Sequence, residues 1–368
     1  MWRAEEGVAL GNVANTRVRL ADVALEAGVS KAAVSFAFNK PDRLSEETAA
    51  RIRAVAASMG YRPHPVARML TAGSTATIGI LSPQALGTVF ANPFFSLFAE
   101  GVASVTEERG FGLLFISPLH GSLARALDRA TVDGIVAVGL DERHPEVESI
   151  RRAGLPVVLV DAPAWEEHGA VGVDDEGGAR AAAEHLLRLG HRTFLVISVE
   201  PPTYGEPLPE SVAGLRMRGY RDTLAAAGVE LGSQDVVVSP ASFEGGETAM
   251  LRAWEDGLRP TAVLSMSDAA AAGVVQAARV LGLRVPDDLS VVGFDDLPLT
   301  RFTDPPLTTV HQPVRRKGEE AARLLLSALN APRGEAVAHH RILETRLVIR
   351  RSTAPPPAGR RLEVVATA

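Results

Sequence analysis

Residues 18–39 read VRLADVALEAGVSKAAVSFAFN, the pattern of two short helices joined by a tight turn. In the first, over residues 20–27, Leu20, Val23, Ala24 and Ala27 recur at i, i+3, i+4 and i+7 and line one face. Gly28 follows, and without a Cβ it can take the left-handed conformation that closes a helix. Ser30 is placed to cap the second helix, because its hydroxyl can accept from a backbone N–H that has no partner within the helix. There Val34, Ala37 and Phe38 form the inward stripe, leaving Lys31, Ala32, Ser35, Phe36 and Asn39 on the outer face. A braced helix with small and polar outer residues is the shape that a DNA major groove admits.

Outward from that pair, KPDR at residues 40–43 is a turn, and Ser45 caps a third helix. Glu46 and Glu47 occupy its first turn, where the helix dipole favours acids. Ala49, Ile52, Val55, Ala56 and Met59 face a core, and Gly60 ends the helix. The three helices make a headpiece over residues 17–63, preceded by an aperiodic, disordered arm at 1–16. Between residues 17 and 73 there are nine basic and five acidic side chains, whereas the whole chain carries a net charge of −6. A basic N-terminal segment on an acidic body concentrates phosphate attraction at one end. Residues 64–75 form a hinge in which Val66, Met69 and Leu70 are more apolar than a plain linker requires.

The 368 residues, 46% hydrophobic and 22% charged, suit two or three globular domains with sizeable cores. There is no cysteine, which excludes disulfides and thiolate metal sites and fits a reducing compartment. No uncharged apolar run reaches 18 residues, so no membrane helix is expected. Glu5 and Glu6 precede any apolar run, so no signal peptide is expected and the location is read as cytoplasmic. No metal or cofactor is expected.

From about residue 77 the texture becomes strand–helix alternation. Short apolar runs at 78–81, 112–116, 134–138, 157–160, 193–197, 235–238, 262–265 and 290–293 predict buried strands. Between them, residues 97–109, 176–189, 215–227, 246–254 and 269–281 predict helices. So many units imply two α/β lobes in tandem over residues 76–352, with a cleft between them. The tail at 353–368 is rich in alanine and proline and reads as disordered.

Motif-like segments run through DVALEAGVS at 22–30, VSFAFN at 34–39, LSEET at 44–48, GYRP at 60–63 and PVARML at 65–70. They continue in NPFF at 92–95, DGIV at 133–136, VDDEGG at 173–178, LGHR at 189–192, RMRGY at 216–220, VPDDLSVVGFDD at 285–296 and LTTVHQP at 307–313. Through these segments the chain resembles the lactose-repressor (LacI) family of transcription regulators. The resemblance implies an α plus α/β protein: a helix-turn-helix headpiece, a hinge helix, and two doubly wound lobes of periplasmic-binding-protein type. It also implies a homodimer on a near-palindromic double-stranded operator, with a small effector, a carbohydrate, in the cleft.

By the same resemblance, Lys31, Ala32 and Phe36 meet base edges, while Arg19, Ser35, Asn39, Ser45 and Tyr61 hold phosphates. Many family members carry arginine where Phe36 stands. Phenylalanine cannot form arginine's two hydrogen bonds to guanine, so apolar contact, as with a thymine methyl, must replace them. Leu70 takes the place of a leucine that wedges into the minor groove, with Ala67 against the partner helix and Arg68 near the backbone. In the cleft, Arg216, Asp295 and Asp161 are expected to hold ligand hydroxyls, with Phe94 and Phe95 as an aromatic face. The alternative for Arg216 is an ion pair with an aspartate across the lobes. Ser267 stands before Asp268 where sugar-binding members place asparagine, and a first-lobe strand ends in Val138-Gly139. Both departures suit a less hydroxylated ligand.

Two other functions would use parts of this pattern. An enzyme could use the pairs Asp174-Asp175 and Asp295-Asp296, but no Gly-x-Ser-x-Gly elbow or phosphate loop accompanies them, and His339-His340 reads as part of a hairpin strand. A stand-alone sugar-binding protein would share the two lobes without needing the headpiece.

Overall fold

The computed structural model describes residues 18–62, 69, 73–163, 165, 168–199, 209–332 and 339–357. The hinge residues Ala67, Arg68 and Leu70 lie outside them, as does the arm at 1–16. Backbone contacts divide the chain into two compact units, which meet between Thr75 and Ala76.

In the first unit, helices α1 (Leu20–Glu26), α2 (Lys31–Asn39) and α3 (Glu46–Ser58) enclose Val23, Ala24, Ala27, Val34, Ala37, Ile52 and Ala56. Gly28 takes φ +63° at the turn, and Ser30 Oγ accepts from Ala33 N at 3.1 Å, as expected of a cap. Ser45 Oγ accepts from Thr48 N at 3.3 Å at the head of α3. Arg51 and Arg53 of α3 donate to the carbonyls of Ala27 and Ala37, the C-terminal ends of α1 and α2. Cations there satisfy orphan carbonyls and the helix dipoles together, which fixes the angle between the helices.

The second unit runs β1 (Thr77–Leu81), α4 (Leu86–Ala91), α5 (Pro93–Thr106), β2 (Gly112–Ile116), α6 (Leu123–Leu127), β3 (Gly134–Val138), α7 (Val147–Arg152), β4 (Val157–Val160) and β5 (Gly169–Val173). It continues through α8 (Asp175–Leu189), β6 (Phe194–Val199), α9 (Val212–Ala226), β7 (Val236–Ser239), α10 (Phe243–Glu255), β8 (Ala262–Ser265) and α11 (Asp268–Val280). Last come β9 (Ser290–Asp295), β10 (Thr308–His311), α12 (Val314–Asn330), β11 (His340–Leu343) and β12 (Arg346–Val348). Two six-stranded sheets result, ordered β11-β5-β4-β3-β1-β2 and β12-β10-β9-β8-β6-β7. All pairings are parallel except β10 with β12. Each sheet is apolar on both faces. Along β3, Val136 and Val138 enter one core while Ile135 and Ala137 enter the other. That period of two explains why these strands read as continuous apolar runs.

The chain crosses between lobes three times, after β5, after β10 and between β11 and β12. The expected hairpin around His340 is therefore not formed: β11 pairs parallel with β5 in the first sheet, and β12 pairs with β10 in the second. Helix α5 begins at Pro93 rather than at 97, because Asn92 Oδ1 caps it by accepting from Phe94 N at 3.0 Å and proline suits the first turn. The packed chain also runs beyond residue 352. Thr353 Oγ1 lies 2.9 Å from His185 Nε2, and Ala354 is bonded to both Ser290 and His191, so the stretch 353–354 belongs to the second lobe. Among the described residues, no helix is long and apolar enough to cross a membrane.

Candidate functional site

Two surfaces carry the residues singled out by sequence. On the headpiece, Arg19, Lys31 and Ala32 are exposed, and Ser35, Phe36 and Asn39 are half-buried. Helix α2 thus presents one face while Val34 and Ala37 anchor the opposite one. Phe36 is not bare: the Arg43 guanidinium lies 5.6 Å from its ring centroid. Asn39 Nδ2 donates to Ser35 Oγ at 3.3 Å. Ser45 is occupied as a cap, with its hydroxyl also donating to Thr48 Oγ1 at 2.8 Å. Tyr61 packs its ring against Phe38 at 5.9 Å, so its body belongs to the headpiece core.

The second surface lies between the lobes, at the carboxyl ends of both sheets, where open α/β sheets bind ligands. Asp161 follows β4, Asp295 ends β9 and Asp296 comes next; all three have positive φ, at +54°, +124° and +57°. Left-handed backbone at non-glycine residues costs on the order of 1–3 kcal/mol each and clusters at functional sites. Asp296 is held by Arg350 and by His311 Nδ1 at 3.0 Å, which makes it an anchor for the strand end. Asp161 and Asp295 face the cluster instead.

Arg216 on α9 is 4% exposed. Its Nε donates to Asp175 Oδ1 at 2.7 Å, its Nη1 donates to the Met266 carbonyl, and its guanidinium lies 3.5 Å from the Phe294 ring centroid. An ion pair of Arg216 with an aspartate is thus present, but within the second lobe rather than across the lobes. Both roles are open to one guanidinium, since five N–H donors exceed the two acceptors it meets here. Burial pushes the Asp175 carboxyl up from its ordinary range, against the pull of Arg216. Burial likewise pushes Asp295 up to about 6, opposed by Arg216, by the Gln312 hydrogen bond and by Lys317.

The residues that sequence reasoning missed are Lys317 and Gln312. Lys317 Nζ donates to Asp161 Oδ1 at 2.6 Å and to Gln312 Oε1 at 2.5 Å, and Gln312 Nε2 donates to Asp295 Oδ1 at 2.5 Å. A hydrogen-bonded chain therefore runs Asp161–Lys317–Gln312–Asp295 from one lobe to the other. Its sequence signal was the helix over 314–330, where Val314, Lys317, Ala321 and Leu325 keep one inward face, so that a lysine stands on a core stripe.

The other expected ligand residues are set further back. Phe94 and Phe95 are buried in the first-lobe core, Phe94 lying parallel to Phe98 at 5.9 Å and edge-on to Phe95 at 5.5 Å. Phe94 still meets the cluster, since Lys317 Nζ is 5.3 Å from its ring. The Ser267 hydroxyl is engaged as the cap of α11, accepting from Ala270 N at 3.1 Å. Asp268 is fully buried, accepting from Thr309 Oγ1 at 2.5 Å and Leu297 N at 2.8 Å, and burial raises its carboxyl well above the ordinary range.

Comparison with known proteins identifies both parts of the chain. Residues 19–64 match the description of bacterial regulatory proteins of the lacI family, and residues 183–353 match a periplasmic binding protein-like domain. The transcriptional regulator DegA of Bacillus subtilis is 32% identical over 345 residues, spanning 91% of this chain and 97% of DegA. The solved complex of the transcriptional regulator CelR with cellobiose superposes with a TM-score of 0.66 at 30% identity, covering 91% of this chain and 100% of that one. The lac repressor dimer bound to operator and the anti-inducer ONPF superposes at 0.75 with 26% identity, covering 92% and 99%. With a helix-turn-helix headpiece ahead of two α/β lobes, and relatives alike over nearly their whole length, this chain belongs to the lacI family of bacterial regulatory proteins and is a DNA-binding transcriptional regulator.

Proposed function

We propose that this regulator is a cytoplasmic homodimer that represses from a near-palindromic operator and is switched by a sugar bound between its lobes. The observation that carries the effector half is the interlobe cluster. Two strand-end carboxylates, Asp161 and Asp295, are joined through Lys317 and Gln312, with Lys317 over the Phe94 ring, and the multi-donor guanidinium of Arg216 acts on Asp295 as a favourable charge. Carboxylates accept from hydroxyl pairs while guanidinium donates to them, which is the donor–acceptor set a polyol requires. CelR, a relative of similar fold, was solved with cellobiose. Effector and operator must be reciprocally linked, with coupling on the order of 1–3 kcal/mol.

The test is selection of bound sites from a random DNA library, followed by gel shifts on the best site with a panel of sugars. A two-fold-symmetric site whose shift responds to one of them is expected; a symmetric site indifferent to every sugar would remove the effector half. In the same assay Leu70→Ala is expected to weaken the selected site more than random DNA, because a minor-groove wedge acts only where the base step opens, at a cost of a few kcal/mol. Equal losses on both DNAs would exclude a wedge.

Asp295 also sets a pH dependence. As the carboxylate it accepts from effector hydroxyls, and with the group pushed up to about 6 that form disappears in mildly acidic solution. Effector affinity by calorimetry is therefore expected to fall about tenfold between pH 7.5 and pH 5, following the ionised fraction. In Asp295→Asn the fall should vanish.

A further inference from the structure

Lys317 is 0% exposed, although an ammonium is among the costliest groups to bury. Its three donor directions are all occupied: Asp161 Oδ1 at 2.6 Å, Gln312 Oε1 at 2.5 Å and the face of Phe94 at 5.3 Å. Each partner comes from a different part of the fold. Asp161 ends a first-lobe strand, Phe94 opens α5, and Gln312 lies on the crossover from β10 to α12 and itself holds Asp295 of the second lobe. An apolar residue at position 317 would satisfy the core stripe of α12 equally well. The charge is explained only by what it joins. Asp175 and Asp295, each buried in the same cluster, also feel the ammonium as a favourable neighbour.

We propose that Lys317 is the positioning residue of the interlobe site, an ionic latch that sets the Asp161 and Asp295 carboxylates as a pair and fixes the angle between the lobes. An effector then meets acceptors already spaced for it, and whatever moves Lys317 is transmitted to both lobes at once. Without the ammonium, Asp161 loses its counter-ion and Gln312 loses one of its two anchors. The lobes then turn about their three crossovers with less restraint. The inference rests on the cluster being the effector site, but the latch is measured without effector. A firm latch in a protein indifferent to every sugar would overturn the effector reading alone.

The native chain has no cysteine, so two introduced ones carry spin labels without background. Glu108→Cys in the first lobe and Glu255→Cys in the second are exposed positions away from the cluster. Labelled full-length protein, diluted into unlabelled protein so that only one subunit's pair is read, is expected to give one narrow interlobe distance. In Lys317→Met, which keeps the side chain's length and removes its charge, the distribution should widen about twofold. Gln312→Leu breaks the same interlobe link at the crossover, where Gln312 joins Lys317 to Asp295, and should widen it equally, and the double variant should widen it no further. Gln312→Leu answers alone if Lys317→Met does not fold. Two outcomes overturn the latch: a lower melting temperature with an unchanged distance distribution, or widening in Lys317→Met but not in Gln312→Leu, which would make Lys317 a space-filling residue.

Discussion

Arg216→Ala is expected to destabilise the second lobe by about 3–5 kcal/mol, the usual cost of removing one partner of a buried ion pair, and to abolish any effector response with it. Three partners lose their counterpart at once: the buried Asp175 carboxylate, the Met266 carbonyl and the Phe294 ring. The size of the loss should depend on pH in a definite direction. Burial already raises Asp175 above its unfolded value, and Arg216 restrains that rise. With Arg216 gone the carboxyl goes higher still, and the folded state holds its proton where the unfolded chain has released one. The Asp175 share of the penalty is then absent in acid and grows as pH rises past the already raised value of Asp175 in the native protein, while the losses at Met266 and Phe294 persist at every pH. Urea melts at pH 5 and pH 7.5 should therefore differ, with the larger deficit at pH 7.5; a deficit independent of pH would exclude an uncompensated Asp175. Arg216→Lys separates the two roles. It keeps a cation for Asp175 but loses the planar fork, so it should fold while responding poorly to effector.

That prediction differs from one drawn on sequence alone, where Arg216 is a ligand contact first. The reason is distance along the chain: Asp175 is 41 residues away and reaches Arg216 only because α8 and α9 pack together. Local signals, by contrast, were fully legible. Gly28, Ser30, Ser45 and Gly60 mark helix ends through their own backbone chemistry, and the structure uses each as such. The central strands were legible because both their faces are buried and valine, isoleucine and leucine follow one another without a break. Strand β5 was not, since Gly169 and Gly172 dilute its pattern, and neither was β10, where Thr308 and Thr309 are buried but polar. Those threonine hydroxyls are affordable in a core only because Arg350 N, Thr353 Oγ1 and Asp268 Oδ1 hydrogen-bond them, again from far along the chain. In the cluster, the strand-end aspartates and Arg216 could be named from their motifs. Lys317 could not, because its meaning depends on Asp161, which lies 156 residues away.

The position next to Lys317 carries the second large effect. Gly318→Val is expected to unfold the first lobe or lower its stability by about 3 kcal/mol or more, the upper range for overpacking against backbone. A Cβ at Gly318 would lie 2.3 Å from the Phe98 carbonyl oxygen, and one at Gly101 would lie 2.0 Å from the Arg315 carbonyl oxygen. The two glycines thus face each other across the crossing of α5 and α12, and neither can gain a side chain unless the backbones separate. Gly246 and Gly273 make the same reciprocal contact between α10 and α11. In the first lobe, however, the close approach has a second consequence. Helix α12 delivers Lys317 to Asp161 and Phe94 from the residue just before Gly318, so displacing the helix draws the ammonium away from its partners. Gly318→Ala, the milder change, tests this: it should lower the melting temperature and also widen the interlobe distance, as loss of the Lys317–Gln312 bond is expected to do. Gly246→Ala, in the other lobe and away from the latch, should lower the melting temperature while leaving that distance unchanged. A widened distance in both variants would mean that the lobes answer to stability in general. A change confined to Gly318→Ala would tie the lobe angle to the depth at which α12 sits on α5.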